Sequence, residues 1–395
     1  MSYLEKLLNG VTVEWKPLGE VAKIQRGASP RPISKFITDN QNGVPWIKIG
    51  DTVPNSKYVS QTKQKITHEG AEKSRILKKG DLIMSNSMSF GRPYILNIDG
   101  AIHDGWASIS NFEDVLNTDY VFHYLSSDIV QNYWLTKINS SSVSNLNADI
   151  IKALPIPIPC PDNPKKSLEI QQKIVGILDT FTELTAELTA ELIARKKQYM
   201  YYREQLLSFE EGKVEWKTLG EVITFQRGKR LVKSQLEETG DFAVYQNSMT
   251  PLGYYHESNV KANTTYIICA GAAGEIGFSD VPFWAADDVY FCITPNNINN
   301  KYLYYNLQIQ QHKISSQVRR ASIPRLSKNV LENLKIPIPP LDEQTRIVSI
   351  LDKFDILTNS ISEGLPKEIK LRKEQYEYYR DLLLTFPLSE SGFVG

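Results

Sequence analysis

The chain has 395 residues, too long for one ordinary domain and enough for two or three units of about 150 residues. With 41% hydrophobic and 23% charged residues it is neither disordered nor fibrous, and its formal net charge of zero argues against a protein that coats nucleic acid indiscriminately. No apolar run approaches the roughly 18 residues needed to span a bilayer, and MSYLEKLLNG lacks the features of a signal peptide, so a cytoplasmic chain without membrane partners is expected. Cys160, Cys269 and Cys292 form no CxxC pair and read as buried thiols rather than a disulfide framework or zinc site.

In chain order, a conspicuous start, Val13-Glu14-Trp15-Lys16, Leu18-Gly19-Glu20-Val21 and Gln25-Arg26-Gly27, precedes short predicted strands at 46–49, 82–84 and 94–96. A helix is predicted from Asp119 to Lys137, then a loop and a short helix leading to Ile156-Pro157-Ile158-Pro159. From Ile170 the apolar positions Ile170, Ile174, Ile177, Phe181, Leu184 and Leu188 follow a coiled-coil seam. An extra step of four then reaches Leu192, inside the tandem Thr185-Ala186-Glu187-Leu188 and Thr189-Ala190-Glu191-Leu192. Such a stutter locally unwinds a supercoil. The seam resumes at Tyr199, Tyr202, Leu206 and Phe209, with Arg195 in one seam position.

The same order then starts again. Val214-Glu215-Trp216-Lys217, Leu219-Gly220-Glu221-Val222 and Gln226-Arg227-Gly228 repeat the start at an offset of 201 residues. Strands are predicted at 243–245, 266–269 and 289–293, and a helix from Asn299 to Ser315. Ile336-Pro337-Ile338-Pro339 repeats at an offset of 180, so the second variable domain is about 21 residues shorter. The second seam runs Ile347, Ile350, Phe354, Leu357 and Ile361, then Ile369, Tyr376, Tyr379, Leu383 and Phe386; Asp342 is the expected N-cap, and Gly364-Leu365-Pro366 should break the helix. Arg195 to Arg203 matches Arg372 to Arg380, and Tyr3 to Leu8 resembles Tyr202 to Leu207, so the repeat is circular.

Neither helix can leave such a seam in water, and two similar helices in one chain are natural antiparallel partners. The expected fold is therefore α+β, with two α/β domains under a pseudo-twofold axis, separated by two long helices in a coiled coil. At about 1.5 Å per residue, Leu168 to Phe209 would span roughly 60 Å. An ordinary interdomain helical hairpin is the plainer alternative.

Polar and basic side chains gather in the loops. Candidate nucleic-acid contacts in the first domain are Arg26, Ser29, Arg31, Lys35, Ser87, Ser89 and Arg92. In the second they are Arg227, Lys229, Arg230, Lys233, Gln246, Asn247, Arg319, Arg320 and Arg325. Such groups donate to phosphates and read base edges; the plain reading of any one of them is a solvated surface charge. Marks of catalysis are missing from the sequence: it has no GxxxxGK[ST] phosphate loop, no Asn/Asp-Pro-Pro-Tyr/Phe segment and no histidine ligand spacing. Gly271-Ala272-Ala273-Gly274-Glu275-Ile276-Gly277 reads as a glycine-rich hairpin rather than a dinucleotide loop, because no helix start follows it.

The paired starts at Trp15 and Trp216, the Ile-Pro-Ile-Pro exits, the paired Ile-Leu-Asp helices, the Arg-Lys-x-Gln-Tyr-x-Tyr-Tyr-Arg ends and the Thr-Ala-Glu-Leu tandem together resemble the specificity subunits of type I restriction-modification enzymes, over essentially the whole chain. The tandem resembles the subclass with this spacer repeat. The resemblance implies recognition domains at 1–161 and 211–340, spacer helices at 162–210 and 341–387, and a tail at 388–395. It also implies a non-catalytic subunit, each domain of which reads half of a split double-stranded DNA target. Two modification subunits would dock on it and bring two restriction-translocation subunits, with S-adenosylmethionine, ATP and Mg on those partners and no cofactor on this chain. The spacer and docking positions are Ile174, Ile177, Phe181, Leu184, Leu188, Leu192, Tyr199, Tyr202, Ile347, Ile350, Phe354, Leu357, Tyr376 and Tyr379. Three rivals are a free-standing pseudodimeric DNA-binding regulator, which would bind its site without partners, a methyltransferase with degenerate motifs, which would bind S-adenosylmethionine alone, and a purely structural coiled-coil adaptor, which would leave the basic loops without a role.

Overall fold

The computed structural model describes residues 3–8, 10–53, 56–86, 91–139, 146–210, 212–320 and 322–386. It forms two compact mixed α/β units. The first joins Met1–Glu187 to Ile369–Gly395, and the second is Leu188–Glu368. The boundary falls inside one helix, Pro164–Leu207, whose 44 residues make it about 66 Å long.

In the first unit the Val13–Pro17 strand pairs antiparallel with Pro155–Pro159, Trp15 opposite Pro157. A two-stranded ribbon suits the proline-rich exit, because both strands are edges and no ladder hydrogen bond is lost on the outer side. One five-stranded sheet runs in the order Lys23–Arg26, Trp106–Ser110, Leu82–Ser85, Pro93–Leu96, Tyr58–Val59. A second runs Ile37–Thr38, Lys65–Ile66, Val44–Ile47, Gly100–Ile102, Arg75–Leu77. The helix predicted from Asp119 to Lys137 is two helices, Thr118–Leu125 and Asp128–Asn139. The hydroxyls of Ser126 and Ser127 donate to the carbonyls of Phe122 and Tyr124, competing with the helical ladder where it breaks.

The second unit follows the same plan with less material. Glu215–Thr218 pairs with Lys335–Ile338, Trp216 opposite Pro337. A four-stranded sheet runs Thr224–Arg227, Val289–Ile293, Thr264–Ile268, Ile276–Ser279, beside three strands in the order Gly253–Tyr255, Phe242–Tyr245, Trp284–Ala285. The glycine-rich stretch is the hairpin turn between Thr264–Ile268 and Ile276–Ser279, with Gly271 and Gly274 at positive φ. The predicted helix at 299–315 is likewise split, into Asn300–Ile309 and Gln311–Ser316.

The constant segments are joined to the variable ones by one set of contacts, built twice. Buried Gln171 accepts a hydrogen bond from the Asn117 amide and donates to Val115 O; buried Gln344 accepts from the Asn299 amide and donates to Asn297 O. Asn117 and Asn299 cap the next helices. Tyr120 and Tyr302 donate to the carbonyls of Pro157 and Pro337. Asp179 accepts from Lys57 at 2.8 Å and meets buried His123 at 2.9 Å, while Asp352 takes Lys301 at 3.0 Å and the Tyr305 hydroxyl at 2.5 Å.

The apolar seams are buried at their ends. In the first unit Ile174 and Leu178 share a core with Leu383 and Phe386, and Phe181 stacks on Tyr379 at 5.2 Å. In the second Tyr199 and Leu207 pack with Ile347 and Leu351, and Phe354 stacks on Tyr199 and Tyr202. Ile177, Leu188, Leu192, Ile350, Leu357, Tyr376 and Tyr379 are half-buried. Leu184 and Tyr202, expected in the seam, are 39% and 40% exposed; Thr185 takes the less exposed place beside Leu184. The second constant segment breaks into Leu341–Asn359 and Gly364–Leu384, Gly364 taking positive φ. Asp342 is not the cap: the helix starts one residue earlier after Pro340, so Asp342 sits in the first turn, where it favours the helix dipole. Cys269 and Cys292 are buried as expected, but Cys160 is only half-buried, at positive φ.

Burial lowers the His123 pKa below its ordinary 6.5, against the opposing pull of Asp179. Burial also opposes the charge on Asp179, but hydrogen bonds from His123 and Lys57 outweigh it and hold its carboxyl below the usual range. A histidine kept neutral by folding binds protons more readily when unfolded, so stability is complete above pH 6.5 and falls as the pH drops below that value. His123→Tyr, which installs the group that the second unit has at Tyr305, should flatten this part of the thermal midpoint's pH profile below 6.5. An unchanged slope would show that His123 does not supply it.

Candidate nucleic-acid interface

Strand register brings the candidate loops of the first unit to one sheet end. Ala107 lies opposite Arg26 and Trp106 opposite Ser85, so the chain leaves the sheet at Arg26 and Ser85 and enters it at Trp106, all at the same edge. Gly27 donates its amide to Trp106 O at 2.8 Å, and a Cβ on it would lie 2.1 Å from His103 O. Gly228 does the same in the second unit, donating to Val289 O at 2.9 Å, and its Cβ would lie 2.2 Å from Ala286 O. The repeated Gln-Arg-Gly thus has a steric cause: backbone approaches too closely for any side chain.

The arginine of that triplet braces the loop opposite. Arg26 Nε donates to Asp104 O, and Arg227 Nε to Asp287 O. Ser29 donates to the Asp104 carboxylate at 3.0 Å, Asn86 donates to Asp104 O, and Arg31, 86% exposed, reaches the carboxylate at 3.9 Å. Lys35 is exposed in the following short turn. Arg26, Ser29 and Arg31 are therefore gathered around Asp104. Arg92 is placed elsewhere: it stacks over Tyr94 and lines a cavity of about 720 Å³ with Lys57, Asp179 and Arg380. Ser87 and Ser89 lie outside the described residues.

In the second unit more of the candidates meet. Lys229 donates its amide to Ala285 O and accepts from the Trp284 indole, while Arg227 also faces Asp288 at 3.9 Å. Asn247 O accepts from Ala272, Gly271 donates to Pro324 O, and Arg319 and Arg325 exchange backbone hydrogen bonds. These bonds place 227–230, 246–248, 270–274, 284–288, 319–320 and 322–325 at one end of the sheet. Lys229, Arg230, Lys233, Asn247, Arg319, Arg320 and Arg325 are exposed there, and Gln246 is half-buried. Cys269 lies beneath this end; burial pushes its thiol up to about 11, which makes it a poor nucleophile.

Asp104 was not singled out in the sequence, and Asp287 reads there as a turn or surface acid, yet both loop ends are organised on these two aspartates. Their signal was positional: Trp106 and Val289 hold equivalent places opposite Gly27 and Gly228, and counting back two residues reaches both aspartates.

Two domains of one design, each carrying a cation-rich loop end and fastened to its own helical segment by matching contacts, are the make-up of a subunit with two recognition domains. The family model of the type I restriction modification DNA specificity domain matches residues 11–196 and again 211–371, and the chain belongs to that family. It is 37% identical to the type I restriction enzyme EcoR124I/EcoR124II specificity subunit of Escherichia coli, covering 99% of this chain and 98% of that one. It is 34% identical to a putative type I restriction enzyme specificity subunit of Haemophilus influenzae, covering 98% of each. The fold is similar to that of the S subunit of a type I restriction-modification system from M. genitalium, with a TM-score of 0.57 at 18% identity over 98% of this chain and all of that one. A second type I restriction-modification chain gives a TM-score of 0.60 at 16% identity, covering 95% and 98%.

The close approach at the two glycines predicts that Gly27→Ala and Gly228→Ala each destabilise the chain by about 1–3 kcal/mol, through overpacking against backbone. Gly176→Ala, in a helix interior with nothing within 4 Å of the new Cβ, should instead stabilise by about 1 kcal/mol. Thermal or denaturant unfolding distinguishes the two; equal effects at all three positions would contradict the assignment.

Proposed function

We propose that each unit presents its loop end to one half of a split double-stranded DNA target, while the constant helices fix the distance between the halves. The single observation behind this is the doubling of the loop end: Arg26-Gly27 braced on Asp104, and Arg227-Gly228 braced on Asp287, with divergent side chains displayed on each. A frame repeated so closely around loops so different suits reading two unrelated sequences. The exposed arginines and lysines supply phosphate contacts, and the amides and hydroxyls among them face base edges.

The frame reading is a pair of antiparallel helices in a coiled coil under a pseudo-twofold axis, with recognition domains at 1–161 and 211–340. Ile174 and Ile347 are fully buried within their units and serve that frame, whereas exposed Leu184 and Tyr202 are available to a partner. Two modification subunits would dock on the helices and carry two restriction-translocation subunits. S-adenosylmethionine, ATP and Mg belong to those partners in this reading. No helix among the described residues is long and apolar enough to cross a membrane.

Charge reversal at Arg227, Arg230 and Arg320 tests the loop assignment in the complex with its modification subunits. Each change should cost on the order of 1 kcal/mol or more of DNA affinity, and each lost phosphate contact should lower the salt slope by about 0.9. Unchanged affinity and slope would contradict the interface named here.

A further inference from the structure

The two units differ most in one insertion. Val44–Ile47 and Phe242–Tyr245 are equivalent, each pairing parallel with a later strand, Trp46 opposite Ala101 and Val244 opposite Trp284. From there to the next central strand the first unit spends residues 48–81 and the second only 246–263. In the second unit Gly253–Tyr255 holds the place of Lys65–Ile66 and the Val260–Phe283 bridge that of the edge strand Arg75–Leu77, so what the added stretch builds between them is the short helix His68–Glu72. From 62 to 79 it carries six basic residues against two acidic ones, in a chain of zero net charge.

Its location follows from register. Arg75 lies opposite Ile102, immediately before the His103-Asp104 loop that Arg26 and Ser29 brace. The buried Ser74 hydroxyl donates to Ala28 O at 2.6 Å and lies 3.1 Å from Ile102 O, fastening the insertion to the candidate loop. Lys73 lies over the Phe36 ring at 4.5 Å, next to Lys35, and its ammonium meets exposed Glu69 at 2.7 Å, a surface pair that a phosphate can displace. Lys73 and Arg75 are both exposed, so they extend the basic surface of Arg26, Arg31 and Lys35 sideways. At the opposite end of the same strand, away from the braced loop, Asp81 and Asp99 accept from the backbone amides of Lys78 and Lys79.

We propose that Lys73 and Arg75 form a phosphate-gripping flank beside the first half-site, a sequence-independent hold on double-helical DNA that the second unit lacks, its matching edge carrying Ser258-Asn259-Val260 and no basic residue. This rests on the DNA-reading function proposed above. The side chains stand on an edge strand and a helix end rather than in the braced loops, which favours backbone contact over base reading.

The test uses the complex with modification subunits, comparing the parent, Lys73→Gln/Arg75→Gln, and the control Lys78→Gln/Lys79→Gln. For the first pair, the log–log slope of affinity against salt should fall by about 1.8, at about 0.9 per phosphate contact. Backbone protection by hydroxyl radicals should shrink beside the first half-site only, the methylated sequence should stay the same, and the control should match the parent. An unchanged slope and footprint would overturn the flank, as would an equal loss in the control, an altered target sequence, or failure of the variant to assemble with its partners. If the parent complex binds no specific DNA at all, the DNA-reading function itself fails, which is a different result.

Discussion

A charged joint holds each reading unit to its helix: Asp179 with Lys57 and His123 in the first, Asp352 with Lys301 and Tyr305 in the second. Taking a carboxylate out of water is costly unless it is paired and hydrogen-bonded, so the joint is stable only when every partner is present. The aspartate comes from the constant segment, and its partners come from the variable one. The rest of each unit can then change while the angle at which the helix leaves it does not.

Around that joint the same economy repeats. Gln171 and Gln344 satisfy the backbone ahead of a capped helix, and Tyr120 and Tyr302 tie that helix to the proline-rich exit strand. The exit pairs with the entry strand, so the start and end of each variable segment are stitched together. What lies between them is free to vary at the far sheet end. The glycine and arginine of Gln-Arg-Gly are held there in both units, because their backbone approach and carbonyl brace shape the loop itself. Specificity is thereby largely separated from stability: apart from the bracing Arg26, Ser29 and Arg227, the residues that would read DNA are not among those that tie each unit to its helix.

Much of this was legible in the sequence because repetition is visible without coordinates. The doubled entry, exit, Ile-Leu-Asp and Tyr-x-Tyr-Tyr-Arg segments located two domains, and the break at Gly364 followed from local chemistry. The seam was legible where it is buried, at Ile174, Tyr199 and Ile347, and less so through the stutter, where the helix turns Thr185 inward and leaves Leu184 more exposed. Apolar spacing reports what a face prefers, not which side of a local unwinding it falls on. The candidate loops were legible as basic stretches, but not the division of labour within them. Arg26 and Arg227 partly brace carbonyls, Ser29 is bound to Asp104, and Arg92 lines a cavity beside the helix; these depend on strand register that only the folded chain supplies.

The central idea is that the gap between half-sites is set by the helices, independently of what the two loop ends read. One additional Thr-Ala-Glu-Leu unit would lengthen a helix by about 6 Å and add about 40° of rotation. One base pair advances about 3.4 Å and rotates roughly 35°, so rotation favours a change of one pair. The most direct measurement is the pattern of adenine methylation in cells expressing the chain and its modification subunit, with and without the extra unit. We expect a target in two specified blocks in both cases, with identical blocks and an unspecified gap longer by about one base pair in the variant. A continuous target, or blocks whose sequence changes with the helix, would contradict the separation of ruler from readers.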